Sequence, residues 1–278
     1  MRLSTKLAIA ISLVAGVLDF SARSAAADQI GFAVDATQSL FSVDLTTATA
    51  SRIGSTGQFL EGLAISPGGS LFGTDFTGNL YSVSKATGAA TLIGNTGLGN
   101  IEGLTFRGTT LIGTNFSTLL GGPTTVSAID TTTAVPTLIT SFSQGPVRAM
   151  ALVNANTIDV ASDSPVSQSL VSVNLLTGAN TVSGQLPSLG ANLISALNFG
   201  SDGVLYALRA DGNKFIISSN GAGTLVGNTG GQDWLDLTMA STVLSVVPEP
   251  NSISLLLIAA IGLLSIRVWQ RLGGSTAT

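Results

Sequence analysis

Between Leu71 and Phe106 the chain alternates four short apolar runs with turn residues. The runs are Leu71–Asp75, Leu80–Ser84, Ala90–Gly94 and Ile101–Phe106, broken by Thr77-Gly78-Asn79 and Thr87-Gly88. Val, Ile, Thr, Tyr and Phe dominate them, the residue types that suit a pleated, half-buried surface. Gly and Asn between the runs tolerate the positive φ of tight turns. The pattern predicts four strands, and it recurs. Leu40-Phe41-Ser42-Val43-Asp44 lies forty positions before Leu80-Tyr81-Ser82-Val83-Ser84, and Glu61-Gly62-Leu63-Ala64-Ile65 likewise precedes Glu102-Gly103-Leu104-Thr105-Phe106.

Extended along the chain, the same four runs predict five units. The first holds Ile30–Asp35, Leu40–Asp44 and Ala50–Gly54, with Glu61–Ile65 following as the fourth strand type. The template comes next. A degenerate third unit reads Leu111–Asn115, Val126–Asp130, Thr137–Ser141 and Arg148–Leu152, with Leu120-Gly121-Gly122-Pro123 inserted in one hairpin. The fourth reads Ile158–Asp163, Leu170–Asn174, Thr181–Gly184 and Ser195–Phe199, and the last Leu205–Arg209, Lys214–Ser218, Gly223–Gly227 and Leu235–Met239. A period of about 40–50 residues with four strands per copy is the mark of β-propeller blades. Each blade has two apolar faces that only its neighbours can cover, which favours a closed ring.

The phase of the repeat is offset. The Glu-Gly-Leu-Ala-Ile type of strand resembles the innermost strand of WD-repeat and similar propellers, and the first unit begins without one. Leu235–Met239 then supplies it from the far end. The expected fold is therefore all-β: a five-bladed propeller of four-stranded repeats over residues 28–247, with one blade stitched from both termini. A β-sandwich or a right-handed β-solenoid is the alternative.

Composition narrows the chemistry. Of 278 residues 45% are hydrophobic and 9% charged, with 33 glycines, which suits an exported all-β domain rather than a disordered chain. Residues 28–247 carry six basic and thirteen acidic side chains, a net charge of −7. With no basic patch, nucleic acid is not an expected partner. Histidine and cysteine are both absent. That removes the Ser-His-Asp triad, the imidazole base, thiol nucleophiles and His- or Cys-ligated metal. No cofactor is expected.

The two ends differ from the repeats. Arg2 and Lys6 precede the apolar core Leu7–Leu18, and Ala25-Ala26-Ala27 offers small residues for cleavage, so residues 1–27 are expected to be a secretory signal peptide. The competing reading is an amphipathic first helix of the domain. Cleavage after Ala27 leaves Asp28 first. At the other end, Pro248-Glu249-Pro250 breaks any strand, because each proline fixes φ and lacks a donor. Ile253–Ile266 is then almost unbroken apolar sequence, with Arg267 and Arg271 beyond it. A spanning helix needs about 17–25 residues. Residues 252–269 meet that need, with Trp269 at the interface and the arginines on the cytoplasmic side.

This tail, residues 248–278, resembles the PEP-CTERM sorting signal of exported bacterial proteins: the tripeptide, a short hydrophobic helix and a basic end. Its basic residues are split by Val268-Trp269-Gln270, and Leu272–Thr278 follows them. The resemblance implies recognition of Pro248-Glu249-Pro250 by exosortase, a membrane-embedded cysteine protease or transpeptidase, in a host that makes extracellular polysaccharide. It implies transient anchoring in the inner membrane and then the periplasm, cell surface or matrix. A plain C-terminal anchor is the alternative.

Within the repeats, Glu61 and Glu102 occupy equivalent positions at the start of inner strands, aligned with Arg148, Ser195 and Leu235. In a ring these five are expected to lie near the axis or its rim. Two carboxylates there suit acid–base work on a glycoside. Equally, duplicated blades inherit their residues, and Arg148 can neutralise one glutamate. Asp35, Asp75, Asn115, Asp163 and Asp211 form a second set, expected to cap turns by bonding the backbone two residues on. Spread one per blade, they are not expected to share a calcium ion, which needs about 6–8 oxygen ligands converging on one point. Gly94–Gly99 and Gly227–Gly231 lack the following helix of a phosphate loop. Two functions follow: a non-catalytic surface or matrix-associated structural or binding protein, or a glycan hydrolase or lyase with axial carboxylates.

Overall fold

The computed structural model describes residues 29–116, 123–163, 167–188, 192–230 and 233–239. By compactness the chain divides into Met1–Ser241 and Thr242–Thr278. The segments expected to be a signal peptide, 1–27, and a sorting tail, 248–278, both lie outside the described residues. Among those that are described, no helix is long and apolar enough to cross a membrane.

The described chain forms five four-stranded antiparallel sheets, each a blade. Blade 1 runs β20 (Trp234–Met239), β1 (Ile30–Asp35), β2 (Ser39–Asp44) and β3 (Thr49–Ser55) from inside to outside. Blade 2 runs β4 (Leu60–Ile65), β5 (Leu71–Asp75), β6 (Asn79–Val83) and β7 (Ala90–Asn95). Blade 3 runs β8 (Ile101–Arg107), β9 (Thr110–Phe116), β10 (Thr124–Ile129) and β11 (Pro136–Phe142). Blade 4 runs β12 (Val147–Asn154), β13 (Thr157–Asp163), β14 (Gln168–Asn174) and β15 (Asn180–Gln185). Blade 5 runs β16 (Ile194–Phe199), β17 (Leu205–Arg209), β18 (Asn213–Ile217) and β19 (Gly223–Asn228). Every expected strand is present, most displaced at an end by one or two residues.

The ring closes as the offset phase requires. The last strand, β20, pairs with β1, placing Met239 opposite Gly31 and Leu237 opposite Ala33. Inner strands neighbour one another in the cycle β4, β8, β12, β16, β20 and back to β4. The core is correspondingly five apolar clusters, one in each gap between blades. The closing cluster joins Tyr206 and Leu208 of blade 5 to Phe41, Trp234 and Leu237 of blade 1. Trp234, 1% exposed, meets Phe41 edge-on at 5.1 Å and donates its indole N–H to Thr229 Oγ1 at 2.8 Å.

The outer strands share one device. In each, the register slips by one residue at the same point, leaving Ile53, Ile93, Ile139, Ser183 or Val226 unpaired. A bulge there bends the exposed edge away from pairing with another chain. Beside it the next blade's outer turn packs tightly: a Cβ on Gly54 would overlap the Thr87 carbonyl, and one on Gly184 the Asn220 carbonyl. Between blades 5 and 1 a Cβ on Gly227 would instead crowd the Ala48 side chain. Pro136 opens an outer strand, where a missing donor costs least.

Candidate functional site

Each inner strand starts at the end of the ring where the second strand of its blade finishes; Leu60 faces Asp75 and Ile101 faces Asn115. The second residue of each inner strand is Glu61, Glu102, Arg148, Ser195 or Leu235. All five line one small cavity of about 60 Å3. The aligned positions do converge on the axis.

The cavity is electrostatically lopsided. Arg148 Nη1 lies 3.1 Å from Glu102 Oε2, and its Nε lies 2.7 Å from Asp163 Oδ2. Asn100 donates to Glu102 Oε1 at 2.6 Å. Glu61 stands beside this network, coupled to it through Asn100 and the charges of Glu102 and Arg148, but its Oε2 is shut off from solvent without a partner among the described residues, as is Ser195 Oγ. Burial, and then the Glu102 charge, push the Glu61 carboxyl up to about 7, against a smaller downward pull from Arg148. Burial also raises Glu102, while Arg148 opposes it.

The second set of acidic residues splits. Asp35 accepts the Thr37 and Ser39 N–H groups, each at 3.0 Å. Asp75 accepts those of Thr77 and Asn79, at 2.9 and 3.0 Å. Asp211 bonds Asn213 N and pairs with Arg209 at 2.7 Å. These cap turns as expected. Asn115 instead donates to the carbonyls of Leu98 and Asn100. Nor are the five equivalent: the register position of Asp75 is taken by Ser162 in blade 4 and Arg209 in blade 5. Asp163 therefore stands one residue further on, where it holds Arg148 and accepts from Gln168 Nε2 at 3.1 Å.

Sequence reasoning missed Asp163 and Asn100 as members of the axial group, and it missed Asp236. Asp236 sits on β20 where the other inner strands carry Gly62, Gly103, Ala149 and Ala196. The residue is 4% exposed; its carboxyl accepts the N–H of the next residue, Leu237, at 2.7 Å and that of Leu63 at 2.6 Å, the second bond tying β20 to blade 2. Burial drives its pKa well above the usual carboxylate range, against those two N–H groups. A charged residue in a column of Gly and Ala was the available signal. No group of three or more acidic side chains that could hold a metal ion occurs among the described residues.

No protein-family model and no curated protein matches the chain. In structure it is similar to a chain of the solved nidogen/laminin complex, with a TM-score of 0.51 and 14% identity over 77% of this chain and 81% of the other. It is also similar to the WD40 β-propeller domain of Doa1, with a TM-score of 0.45 and 12% identity over 75% of this chain and 82% of the other. At such identities the likeness to the nidogen/laminin chain bears on the propeller fold alone.

Proposed function

We propose that this chain is an exported, non-catalytic propeller that serves as a structural or binding module at the cell surface or in the extracellular matrix. The supporting observation is the state of its axial carboxylates: Glu102 is ion-paired to Arg148, and Glu61 faces a cavity of only about 60 Å3. Ligand pockets usually measure about 300–1,000 Å3. A glycosidase needs its two carboxylates to flank a sugar, and this cavity is far too small to admit one. The hydrolase or lyase reading is weaker for that reason. The order of basic, apolar and small residues up to Ala27 supports export, and the apolar run ending at Arg267 supports transient anchoring. Pro248-Glu249-Pro250 supports processing by an exosortase-type enzyme, and extracellular polysaccharide is the partner class this sorting route suggests.

The test is to incubate the purified protein and its Glu61→Gln and Glu102→Gln variants with a panel of polysaccharides and chromogenic glycosides. No turnover is expected. Sugar release by the wild type that either variant abolishes would replace it with the hydrolase or lyase.

A further inference from the structure

A second cavity, of about 290 Å3, opens between blades 2 and 3 at the end of the ring opposite the axial glutamates. Its floor is Phe72 of β5 and Phe106 of β8, both partly exposed, with ring centres 5.8 Å apart and planes inclined by 52°. Its walls are the turn 66–70, Thr109 and Thr131.

Both flanking turns are fixed by their own hydrogen bonds. Ser70 N donates to Ser66 Oγ at 3.0 Å, and Gly69 N to Ser66 O at 2.8 Å. In the turn that carries Thr131, the Asp130 carboxylate accepts the N–H groups of Thr132 and Thr133, both at 2.8 Å. The cleft is thus already formed, which spares a ligand the cost of ordering it. The hydroxyls of Ser70, Thr109 and Thr131 have no protein partner among the described residues, so each is free to donate or accept. No lining residue is charged. Lys85 lies against Gly69 but does not line the cleft.

We propose that this cleft binds one neutral sugar ring of a carbohydrate, its apolar face on Phe72 and Phe106 and its hydroxyls on Ser70, Thr109 and Thr131. Aromatic floor and hydroxyl rim match a ligand that is itself apolar on one face and hydroxylated at its edge. A nucleotide or sugar phosphate would need a cation that the lining lacks. The proposal deepens the binding-module reading and rests on it only for the protein's role, since the cleft belongs to the folded propeller however the chain is sorted.

The test is ligand-observed NMR on the full chain, kept soluble in a detergent without a sugar headgroup. The probes are the methyl glycosides of glucose, galactose and mannose and N-acetylglucosamine, with glucuronate, adenosine and cyclohexanol as controls. At least one neutral sugar is expected to bind saturably, at least tenfold more weakly in Phe106→Leu and several-fold more weakly in Thr109→Val. The Thr109 variant changes an exposed residue, and an unchanged melting curve confirms its fold. Absence of sugar binding overturns the proposal, as does equal binding of cyclohexanol, preferential binding of adenosine, or glucuronate binding lost in Lys85→Ala. A folded, exported protein that binds no sugar here would remove this site and leave the module reading standing.

Discussion

Gly31 and Met239 stand opposite each other in the ladder between the first and last strands, so a contact across 208 residues of sequence closes the ring. Strand β20 carries Trp234, Leu237 and Met239 into the cluster that joins blades 5 and 1. Closing this gap requires both ends of the folded chain to be in place.

Trp234→Ala therefore strikes the closure itself. Truncating a buried tryptophan costs about 3–5 kcal/mol, and here the Phe41 edge contact and the Thr229 hydrogen bond go with it. Urea unfolding should show a loss in that range at constant m. A loss below about 1 kcal/mol, far short of the usual cost of truncating a buried aromatic, would mean that β20 does not lock the ring.

Stability should fall as the pH rises from about 4.5 to about 7. A carboxyl whose folded pKa lies above its unfolded value is stabilising in full only below the unfolded value, and loses that contribution up to the folded one. Glu61, pushed from 4.5 to about 7, sets this window, and Glu102 and Asp236 shift the same way. Asp44, Asp75, Asp130 and Asp211 are lowered, so their contribution is lost only at more acid pH. Glu61→Gln should flatten the decline in melting temperature between pH 5 and 7. An unchanged slope in that variant would show that Glu61 is not the group responsible.

Asp236→Ala should destabilise by about 1–3 kcal/mol, the usual cost of leaving a buried donor unsatisfied, because Leu63 N loses its partner. Asp236→Asn keeps one carbonyl acceptor, for Leu63 N, but loses the one for Leu237 N, so it should cost less than alanine. Equal losses in the two variants would mean that packing, not the hydrogen bond, is what matters there.

Most of the fold was legible because blades repeat. Alternation predicted the strands, and the missing inner strand before Ile30 predicted that Leu235–Met239 would come home to it. The axial ring was legible for the same reason, since aligned positions in a closed ring converge on its axis, and Glu61, Glu102, Arg148, Ser195 and Leu235 do. What repetition could not show is where one blade departs from its neighbours. Asp163 looked like Asp75 by its place after a strand, yet a one-residue offset in register sends it to Arg148. The partly exposed pair Phe72 and Phe106 belongs to different strands of adjacent blades, so no column of the repeat brings them together.

The most direct test of the account is the intact mass of the mature protein in a host that carries the sorting enzyme, measured with and without replacement of Pro248, Glu249 and Pro250 by alanine. Burying each large apolar side chain is worth about 1.5–3 kcal/mol, so the run Ile253–Ile266 should hold the tail in the bilayer until it is cut. The expected surface form begins at Asp28 and lacks residues 251–278, and the alanine variant retains them. A surface form that keeps the tail, or an alanine variant that loses it as efficiently, would contradict it.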